Sequence, residues 1–418
     1  MARIIINTWG SFGDVYPYVG LGLALRARGH DPVLAMPPVY REIVEREGLL
    51  FHGVRPDIDI ADRALAARAM HPSKGPEALF REILVPAVEA AHADLSPLAP
   101  GADLLVSHPA ALAGPIVAEE YGLRWASSVL APLSFFSATD PVVPPPAPWL
   151  HGLLARSLTL SRAGVWLTRT LTGRWTRPIR RFRASRGLPP GRNPIVEGQH
   201  SPRLVLALFS RVLASPQPDW PPHVHVTGPI LYNGSREAAL PQDLQAFLDE
   251  GDPPVVFTLG TSAVAAPGRF YEVSGAAAAR LGRRAVLLVG PHAGNRPSRP
   301  FRGVFVAEFA PHAVLFPRAC AIVHQGGAGT LHQALASGRP MLVVPHAHDQ
   351  PDNARRAEAL GVARTLYPSR YREAALAREL RALLETPAYA RRAREIAAVV
   401  RGERGAAAAC DALERLAG

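Results

Sequence analysis

A short apolar run followed by a glycine-rich turn is the feature that most constrains the fold of this 418-residue chain. Residues 319–323 are apolar, and His324-Gln325-Gly326-Gly327-Ala328-Gly329-Thr330 follows them, a pattern typical of a buried strand whose loop opens a helix. Glycines let the backbone approach an anion closely, and the first helical turn offers free N–H groups at the positive end of its dipole. We therefore predict a phosphate-binding turn, to which Thr330 adds a hydroxyl and His324 a ring nitrogen. The alternative is a strand-to-helix turn that binds nothing.

A second polar group follows the next apolar run. Residues 341–344 are apolar and lead into Pro345-His346-Ala347-His348-Asp349-Gln350. The carboxyl ends of parallel strands share one edge of a sheet, so Asp349 and Gln350 are expected near the glycine turn. A carboxylate and an amide at this edge are suited to binding sugar hydroxyls.

Apolar runs alternate with helical patterns through both halves of the chain. This rhythm predicts an α/β fold with two Rossmann-like, doubly wound parallel-sheet domains. The length also exceeds the usual limit for one core. Residues 215–233 are rich in proline, so we place the boundary there, with domains at 1–230 and 231–418. Residues 373–418 predict helix, whose last turns could return to the first domain.

The first loop carries a candidate general base. The strand around Ile4–Ile6 runs into Gly10-Ser11-Phe12-Gly13-Asp14, and Pro17 suits the first turn of the following helix. Asp14 could accept a proton from an attacking hydroxyl that Ser11 helps to position. Capping of the helix by Asp14 is the alternative. His108, at the end of another predicted strand, is a second candidate base or an ordinary loop residue.

Two segments between residues 131 and 192 are expected to shape a pocket. Residues 131–148 are too long for an ordinary connecting loop, and their apolar side chains suit the lining of an acceptor site; the candidates are Leu133, Phe135 and Phe136. Residues 149–192 mix tryptophan with many arginines and predict a helical insertion with a solvated basic face. Docking of this insertion on a membrane surface is the alternative.

Composition narrows the class of protein. Hydrophobic residues make up 48% and charged residues 19%, which is typical of globular chains. The net charge is +11, yet the arginines are spread along the chain without a nucleic-acid-binding module, so anionic small molecules or acidic membranes are better partners than nucleic acid. The two cysteines and the absence of zinc-type spacing predict no disulfide and no metal. Without a signal peptide or a run of roughly 20 apolar residues, we expect a cytoplasmic protein.

These motifs together resemble a known family, the inverting nucleotide-sugar glycosyltransferases of the two-domain GT-B type. The natural-product and glycopeptide transferases of bacteria and the sterol glucosyltransferases are the most similar branches. The resemblance covers nearly the whole chain, through Gly10–Pro17, Thr258–Ser262, His324–Thr330 and Asp349-Gln350. It implies an acceptor-binding first domain, a second domain that binds a UDP- or dTDP-sugar, and a reaction in the cleft between them that needs neither metal nor cofactor.

The resemblance also implies roles for individual residues. Asp14 matches the aspartate that acts as general base in the glycopeptide branch, and His324 matches the histidine that contacts the diphosphate. Asp349 and Gln350 match the pair that grips the sugar. The remaining residues assigned to the donor are Gly13, Gly260, Thr261, Ser262, Phe309, Ala310, His312, Gly326, Gly327, Ala328, Gly329 and Thr330, of which Phe309, Ala310 and His312 lie where members cradle the base.

The chain departs from the family pattern at two positions. Many members carry a histidine in the first loop, but no histidine stands between Met1 and Gly29 here, which favours Asp14 as base and leaves the role of His108 open. Many uridine-specific members place a glutamate eight residues after the phosphate histidine, where this chain has His332. The expected activity is transfer of a sugar to a hydroxyl of an apolar small molecule or lipid. A sugar-nucleotide 2-epimerase and a catalytically silent sugar-nucleotide-binding partner are the alternatives.

Overall fold

The computed structural model describes residues 1–57, 62–232, 234 and 239–418. In chain order the strands of this part are β1 (Arg3–Asn7), β2 (Asp31–Met36), β3 (Leu50–Gly53), β4 (Leu104–Ser107), β5 (Arg124–Val129), β6 (Val205–Ala207), β7 (Val224–Val226), β8 (Val255–Thr258), β9 (Ala285–Leu288), β10 (Val304–Ala307), β11 (Ala321–His324), β12 (Met341–Val343) and β13 (Ala363–Thr365).

The helices in the same order are α1 (Phe12–Ala27), α2 (Arg41–Arg46), α3 (Arg63–Ala69), α4 (Gly75–Ala78), α5 (Val88–Leu95), α6 (Gly114–Glu120), α7 (His151–Leu154), α8 (Leu158–Trp175), α9 (Arg177–Ser185), α10 (Gln242–Asp249), α11 (Gly260–Ala263), α12 (Phe270–Arg280), α13 (His312–Leu315), α14 (Ala328–Ser337), α15 (Gln350–Ala359), α16 (Glu373–Glu385), α17 (Pro387–Gly402) and α18 (Gly405–Ala417). None of the described helices is long and apolar enough to span a bilayer.

The chain divides into two compact units. The first comprises Met1–Asp59, Lys74–Tyr232 and Glu403–Gly418, and the second comprises Ile60–Ser73 and Asn233–Gly402. The division of the domains after residue 230 stays a prediction. In the structure, the chain changes unit after Tyr232, and α3 groups with the second unit.

The first unit is built on a seven-stranded sheet in the order β3-β2-β1-β4-β5-β6-β7. Every neighbouring pair is parallel. Ile4, Ile5 and Ile6 of β1 are fully buried because helices cover both faces of a parallel sheet. Since β1 and β4 are neighbours, the two loops that follow them meet: the N–H of His108 donates to the carbonyl of Asn7 at 2.9 Å.

The second unit contains a six-stranded parallel sheet in the order β10-β9-β8-β11-β12-β13. Strand β11 lies between β8 and β12, so the loops that leave these three strands emerge side by side. The predicted α/β class with two doubly wound parallel sheets is confirmed.

Two helices differ from the sequence-based expectation. Helix α1 begins at Phe12, so Pro17 lies inside it and Asp14 lies in its first turn. The pattern of residues 77–94 predicts one continuous helix, but in the structure this helix is interrupted after the π-helical residues Leu79–Leu84 and resumes at α5. The interruption arises because Pro86 has no N–H for the helical ladder.

The last helix belongs to the first unit. Helix α18 packs along α1, and Arg28, just after α1, donates to Asp411 at 2.6 Å and to Glu414 at 2.9 Å. A Cβ at Gly405 would lie 2.2 Å from the carbonyl oxygen of Pro229. Because Gly405 has no side chain, the start of α18 can pack directly against the backbone of Pro229.

Candidate functional site

The glycine turn adopts the predicted strand–loop–helix form. Strand β11 ends at His324, Gly327 is the N-cap of α14, and the helix begins at Ala328. The first N–H groups of a helix have no intrahelical acceptor, so those of Ala328, Gly329 and Thr330 are available to a ligand. The turn therefore offers an anion three donors and the positive end of a ten-residue helix.

His324 lies beneath this turn rather than at its surface. Its side chain is fully buried, Nδ1 accepts a hydrogen bond from the N–H of Gly326 at 3.1 Å, and Nε2 lies 3.3 Å from the sulfur of Met341. Burial lowers the pKa of His324 to about 3, so the ring is neutral. In this position the ring shapes the turn through Gly326. Direct donation from His324 to a phosphate oxygen would require the ring to leave both contacts, and it stays a prediction.

The turn after β8 lies against the turn after β11. Gly260 has φ +60°, and a Cβ there would lie 2.2 Å from Nε2 of Gln325. The side chain of Gln325 is buried and also approaches Gly327. The structure thus brings the predicted donor residues Gly260, Thr261 and Ser262, at the start of α11, beside the glycine turn.

A buried asparagine, which sequence reasoning missed, ties the glycine turn to Asp349. Nδ2 of Asn353 donates to the carbonyl of Gly326 at 2.8 Å and to Oδ2 of Asp349 at 2.7 Å. Asp349 is the N-cap of α15, and Asn353 lies four residues later on the same helical face. The four-residue spacing of Asp349 and Asn353 is the feature of the sequence from which this pair could have been predicted.

Gln350 is engaged differently from the prediction. Its side chain is buried, and Oε1 accepts hydrogen bonds from the backbone N–H groups of His346 at 2.8 Å and Ala347 at 3.3 Å. The amide oxygen therefore holds the loop after β12 in shape. Its predicted contact with a sugar stays a prediction.

We expect Asn353→Ala to weaken binding of a nucleoside diphosphate at the glycine turn and to lower stability. The substitution leaves the buried carbonyl of Gly326 without this donor, which costs about 1–3 kcal/mol, and it removes one hydrogen bond to Asp349. Isothermal calorimetry with UDP and dTDP measures the first effect, and urea unfolding measures the second. Asn193→Ala is the matched control, because Asn193 is also buried and is bonded to Arg169 and Thr172 in the first unit: it should lower stability and leave the affinity for either nucleotide unchanged. Equal nucleotide affinity in both variants would contradict the role of Asn353.

The residues predicted to cradle the base lie after β10. Phe309 exposes 47% of its surface, Ala310 is fully buried, and the ring of His312 stacks on Phe316 at 4.3 Å between centroids. Burial lowers the pKa of His312 to about 4. Phe309 thus offers an exposed aromatic ring to a planar ligand, whereas Ala310 is buried and the His312 ring is stacked on Phe316.

His332 lies one turn into α14. Its ring is buried and neutral, because burial lowers its pKa to about 4, and Nδ1 lies 2.8 Å from the carbonyl of Ala328. With Nδ1–H donating to that carbonyl, Nε2 is an acceptor. No carboxylate stands at this position to bind two ribose hydroxyls.

In the first unit, one carboxylate oxygen of Asp14 takes part in the N-terminal cap of α1, and the other does not. Oδ2 accepts from the backbone N–H of Ser11 at 2.8 Å and from the Ser11 hydroxyl at 3.0 Å. Oδ1 lies 3.9 Å from Nε2 of His108, and 37% of the Asp14 side chain is exposed. Desolvation raises the pKa of Asp14 to about 6, although both bonds from Ser11 lower it. The carboxylate is therefore ionised at pH 7 and more basic than an ordinary aspartate.

His108 stands beside Asp14 as a neutral ring. Nδ1 accepts from the N–H of Ala110 at 3.3 Å, which places the ring proton on Nε2. Burial lowers the pKa of His108 to about 3, opposed by a hydrogen bond with the Trp9 backbone. The ring of His108 is therefore neutral, and its role as a base stays a prediction.

A cavity of about 1040 Å³ in the first unit opens beside His108. Phe135 and Phe136 both line it; Phe136 has φ +47°, and Phe135 is largely buried and stacks on Trp220 at 4.2 Å. Leu133 is not among the lining residues. Of the predicted acceptor residues, Phe135 and Phe136 therefore line this cavity, whereas Ser11 and Leu133 do not.

The loop that carries these residues is anchored by the carboxylate of Asp219, which was not predicted from the sequence. Asp219 accepts hydrogen bonds from the hydroxyls of Ser137 and Thr139, both at 2.7 Å, and from the N–H of Ala138 at 2.6 Å. His200, which also lines the cavity, bonds the carbonyl of Ser134. These contacts fix one wall of the cavity.

The chain is similar to known proteins both in sequence and in fold. Residues 286–410 match the family described as Erythromycin biosynthesis protein CIII-like, C-terminal domain. The chain is 33% identical over 99% of its length to O-mycaminosyltylonolide 6-deoxyallosyltransferase of Streptomyces fradiae, of which it covers 97%. The solved glycosyltransferase of kitacinnamycin has a TM-score of 0.76 at 19% identity, with 99% of each chain covered. The glycosyltransferase VinC, solved in complex with dTDP, has a TM-score of 0.68 at 22% identity and 99% coverage of each chain.

Proposed function

Because the chain belongs to the GT-B glycosyltransferase family of these relatives, we propose that it transfers a sugar from a thymidine diphosphate donor to a hydroxyl of an apolar natural product or lipid, with inversion. The observation that carries this proposal is the turn at the start of α14, whose N–H groups are free for a diphosphate and whose carbonyl at Gly326 is tied through Asn353 to Asp349.

Two observations favour thymidine over uridine in the donor. His332, a neutral ring, occupies the position where many uridine-specific members carry a glutamate for the ribose hydroxyls. A 2′-deoxyribose has one hydroxyl fewer and does not need that carboxylate. The complex of VinC with dTDP supports the same choice. Phe309 is the exposed aromatic face on which the base would stack.

Asp14 is the proposed general base. As the acceptor oxygen forms its bond to the anomeric carbon, Oδ1 takes the hydroxyl proton, and the bond from that carbon to the diphosphate oxygen breaks on the opposite side. Ser11 holds the other carboxylate oxygen through two hydrogen bonds, and Nε2 of His108 lies 3.9 Å from Oδ1. Attack opposite the leaving group inverts the anomeric carbon.

The departing diphosphate gains negative charge at the start of α14. The helix dipole and the N–H groups of Ala328, Gly329 and Thr330 are already oriented toward an anion before the reaction begins, so they stabilise that charge without reorganising. The acceptor is proposed to occupy the cavity beside His108, with Phe136 as an apolar contact.

The test is incubation of the protein with TDP-glucose or UDP-glucose and a panel of apolar alcohols, followed by mass spectrometry. We expect glycoside and free TDP in equal amounts, with TDP-glucose preferred. A new nucleotide sugar without release of TDP would instead indicate epimerisation. No turnover of either donor, despite binding of TDP, would indicate a silent binding partner.

A further inference from the structure

The positive charge of this chain is concentrated in one segment of the first unit. Arginines are spread along the sequence, but the carboxylates that balance them are not. Residues 149–192 contain ten arginines and no aspartate or glutamate, so about a tenth of the chain carries +10 of the net formal charge of +11. This segment, which we call the basic insertion, includes helices α7, α8 and α9.

Within the described residues, most of these arginines have no carboxylate partner. Three of them pair with residues outside the insertion: Arg169 with Glu197, Arg183 with Glu119 and Arg186 with Glu120. For the other seven, the described part of the chain provides no ion pair; they are Arg156, Arg162, Arg174, Arg177, Arg180, Arg181 and Arg192. All seven are exposed. An ordinary solvated helix face mixes both signs of charge, and this one does not.

The same segment exposes large apolar side chains. Of the thirteen large hydrophobic residues that are exposed in the described part of the chain, seven lie between residues 149 and 171. Trp149 exposes 74% of its surface and Trp166 62%. Along α8, Leu160, Leu167 and Leu171 follow one another at spacings of seven and four residues, so they form a single exposed stripe.

We propose that the basic insertion docks on the surface of an anionic lipid bilayer. Unpaired arginines are attracted to the negative headgroups, and the tryptophans and the leucine stripe enter the boundary between headgroups and acyl chains. Charge complementarity identifies the occupant as anionic. The exposed leucines favour a bilayer over nucleic acid, because a phosphate backbone offers no apolar phase in which to bury them.

The docking surface adjoins the cavity proposed for the acceptor. Arg162 and Trp166 of α8 line that cavity, whereas the leucine stripe and the arginines at 174, 177 and 181 do not. One helix thus contributes both to the cavity wall and to the docking surface. An acceptor that partitions into the membrane would reach the cavity at this helix. This consequence rests on the proposed function, whereas the docking on the membrane does not.

The experiment is sedimentation of the full-length protein with vesicles of phosphatidylcholine alone or of equal parts phosphatidylcholine and phosphatidylglycerol. We expect binding to the phosphatidylglycerol vesicles only, and weaker binding as salt is raised. Combined Arg174→Gln, Arg177→Gln and Arg181→Gln should lower the partition coefficient on the order of 100-fold, because each arginine near an anionic surface contributes roughly fivefold. Leu167→Ser with Leu171→Ser should lower it at least tenfold, because each leucine that enters the boundary, even only in part, contributes roughly threefold or more.

The matched control removes three positive charges elsewhere. Arg370, Arg391 and Arg394 are exposed and lie in the second unit, so their replacement by glutamine should leave vesicle binding within about twofold of wild type. All variants should keep the TDP affinity of the wild type. If the wild-type protein does not bind TDP, the donor assignment is wrong, and the vesicle result still tests the docking proposal. Three results would overturn the proposal: no binding to phosphatidylglycerol vesicles, equal losses in the control, or a self-association in analytical ultracentrifugation that the leucine substitutions abolish.

Discussion

Replacing Asp14 by asparagine is expected to lower kcat/KM about 10²- to 10⁴-fold, the range that a positioned general base contributes. The amide has nearly the same shape and can still accept from Ser11, whose backbone N–H and hydroxyl both bond Oδ2 of Asp14. It cannot take a proton at neutral pH. The loss should therefore appear in the chemical step, measured by initial rates with TDP-glucose and an accepted alcohol, while the affinity for TDP stays unchanged.

The pH dependence of the wild-type reaction follows from the same carboxylate. Desolvation raises the pKa of Asp14 to about 6, and a base works only when deprotonated, so kcat/KM should rise through pH 6 and level off above it. Ser11→Ala removes one of the two bonds that lower this pKa, so it should move the rising limb to higher pH. A profile of kcat/KM that is flat from pH 5 to 8 would exclude Asp14 as the base.

Unfolding should not account for the loss in Asp14→Asn. A carboxyl whose pKa is higher in the folded than in the unfolded chain favours the fold when protonated, and this contribution is lost as pH rises from about 4 through 6. Asparagine resembles the protonated form, so the variant should be at least as stable as wild type at pH 7. Asp243→Asn, another first-turn aspartate that is exposed on α10, should leave activity intact.

Gly326→Ala is expected to weaken TDP binding about 100-fold, equivalent to losing one or two hydrogen bonds to a charged group. Gly326 has φ +92°, and a Cβ there would lie 2.7 Å from Cγ1 of Val343 and 3.2 Å from the backbone oxygen of Gln350. The turn must shift to admit the methyl group, which displaces the N–H groups at the start of α14. Strain and overpacking together should lower stability on the order of 2–4 kcal/mol, measured by urea unfolding alongside calorimetry with TDP.

Gly282→Ala is the control that distinguishes the effect of backbone strain alone from the effect of distorting the phosphate turn. Gly282 also has positive φ, +62°, but a Cβ at this position would meet no atom within 4 Å, and the residue follows α12 rather than β11. We expect a loss of about 1 kcal/mol in stability and no change in TDP affinity. If both glycine variants bind TDP like wild type, the turn at His324 is not the diphosphate site.

The sequence was sufficient to predict two parallel sheets and the glycine turn of the site because those features depend on local patterns. Alternating apolar runs and helical periods indicate parallel strands with helical crossovers, and glycine after an apolar run indicates a turn at a strand end. The strand β11, the turn after it and the start of α14 follow this logic. Once the strands are parallel, the loops after β8, β11 and β12 must share one edge, so the proximity of Gly260 to Gln325 follows from topology.

What the sequence could not supply was the orientation of side chains within those loops. The rotation of one ring decides whether His324 faces a ligand or Gly326. Likewise, the side chain of Gln350 binds the backbone of its own loop rather than facing a ligand. Asp14 was weighed as either a cap or a base, yet its two oxygens are in different surroundings. The packing of α3 with the second unit depends on contacts remote in sequence, which no local pattern encodes.

The most direct measurement is a crystal structure of the protein with TDP. We expect phosphate oxygens about 3 Å from the backbone nitrogens of Ala328, Gly329 and Thr330, with Asn353 still bonded to the carbonyl of Gly326. Phosphates bound away from the start of α14 would contradict this expectation, and the assignment of the donor to this turn would have to be abandoned.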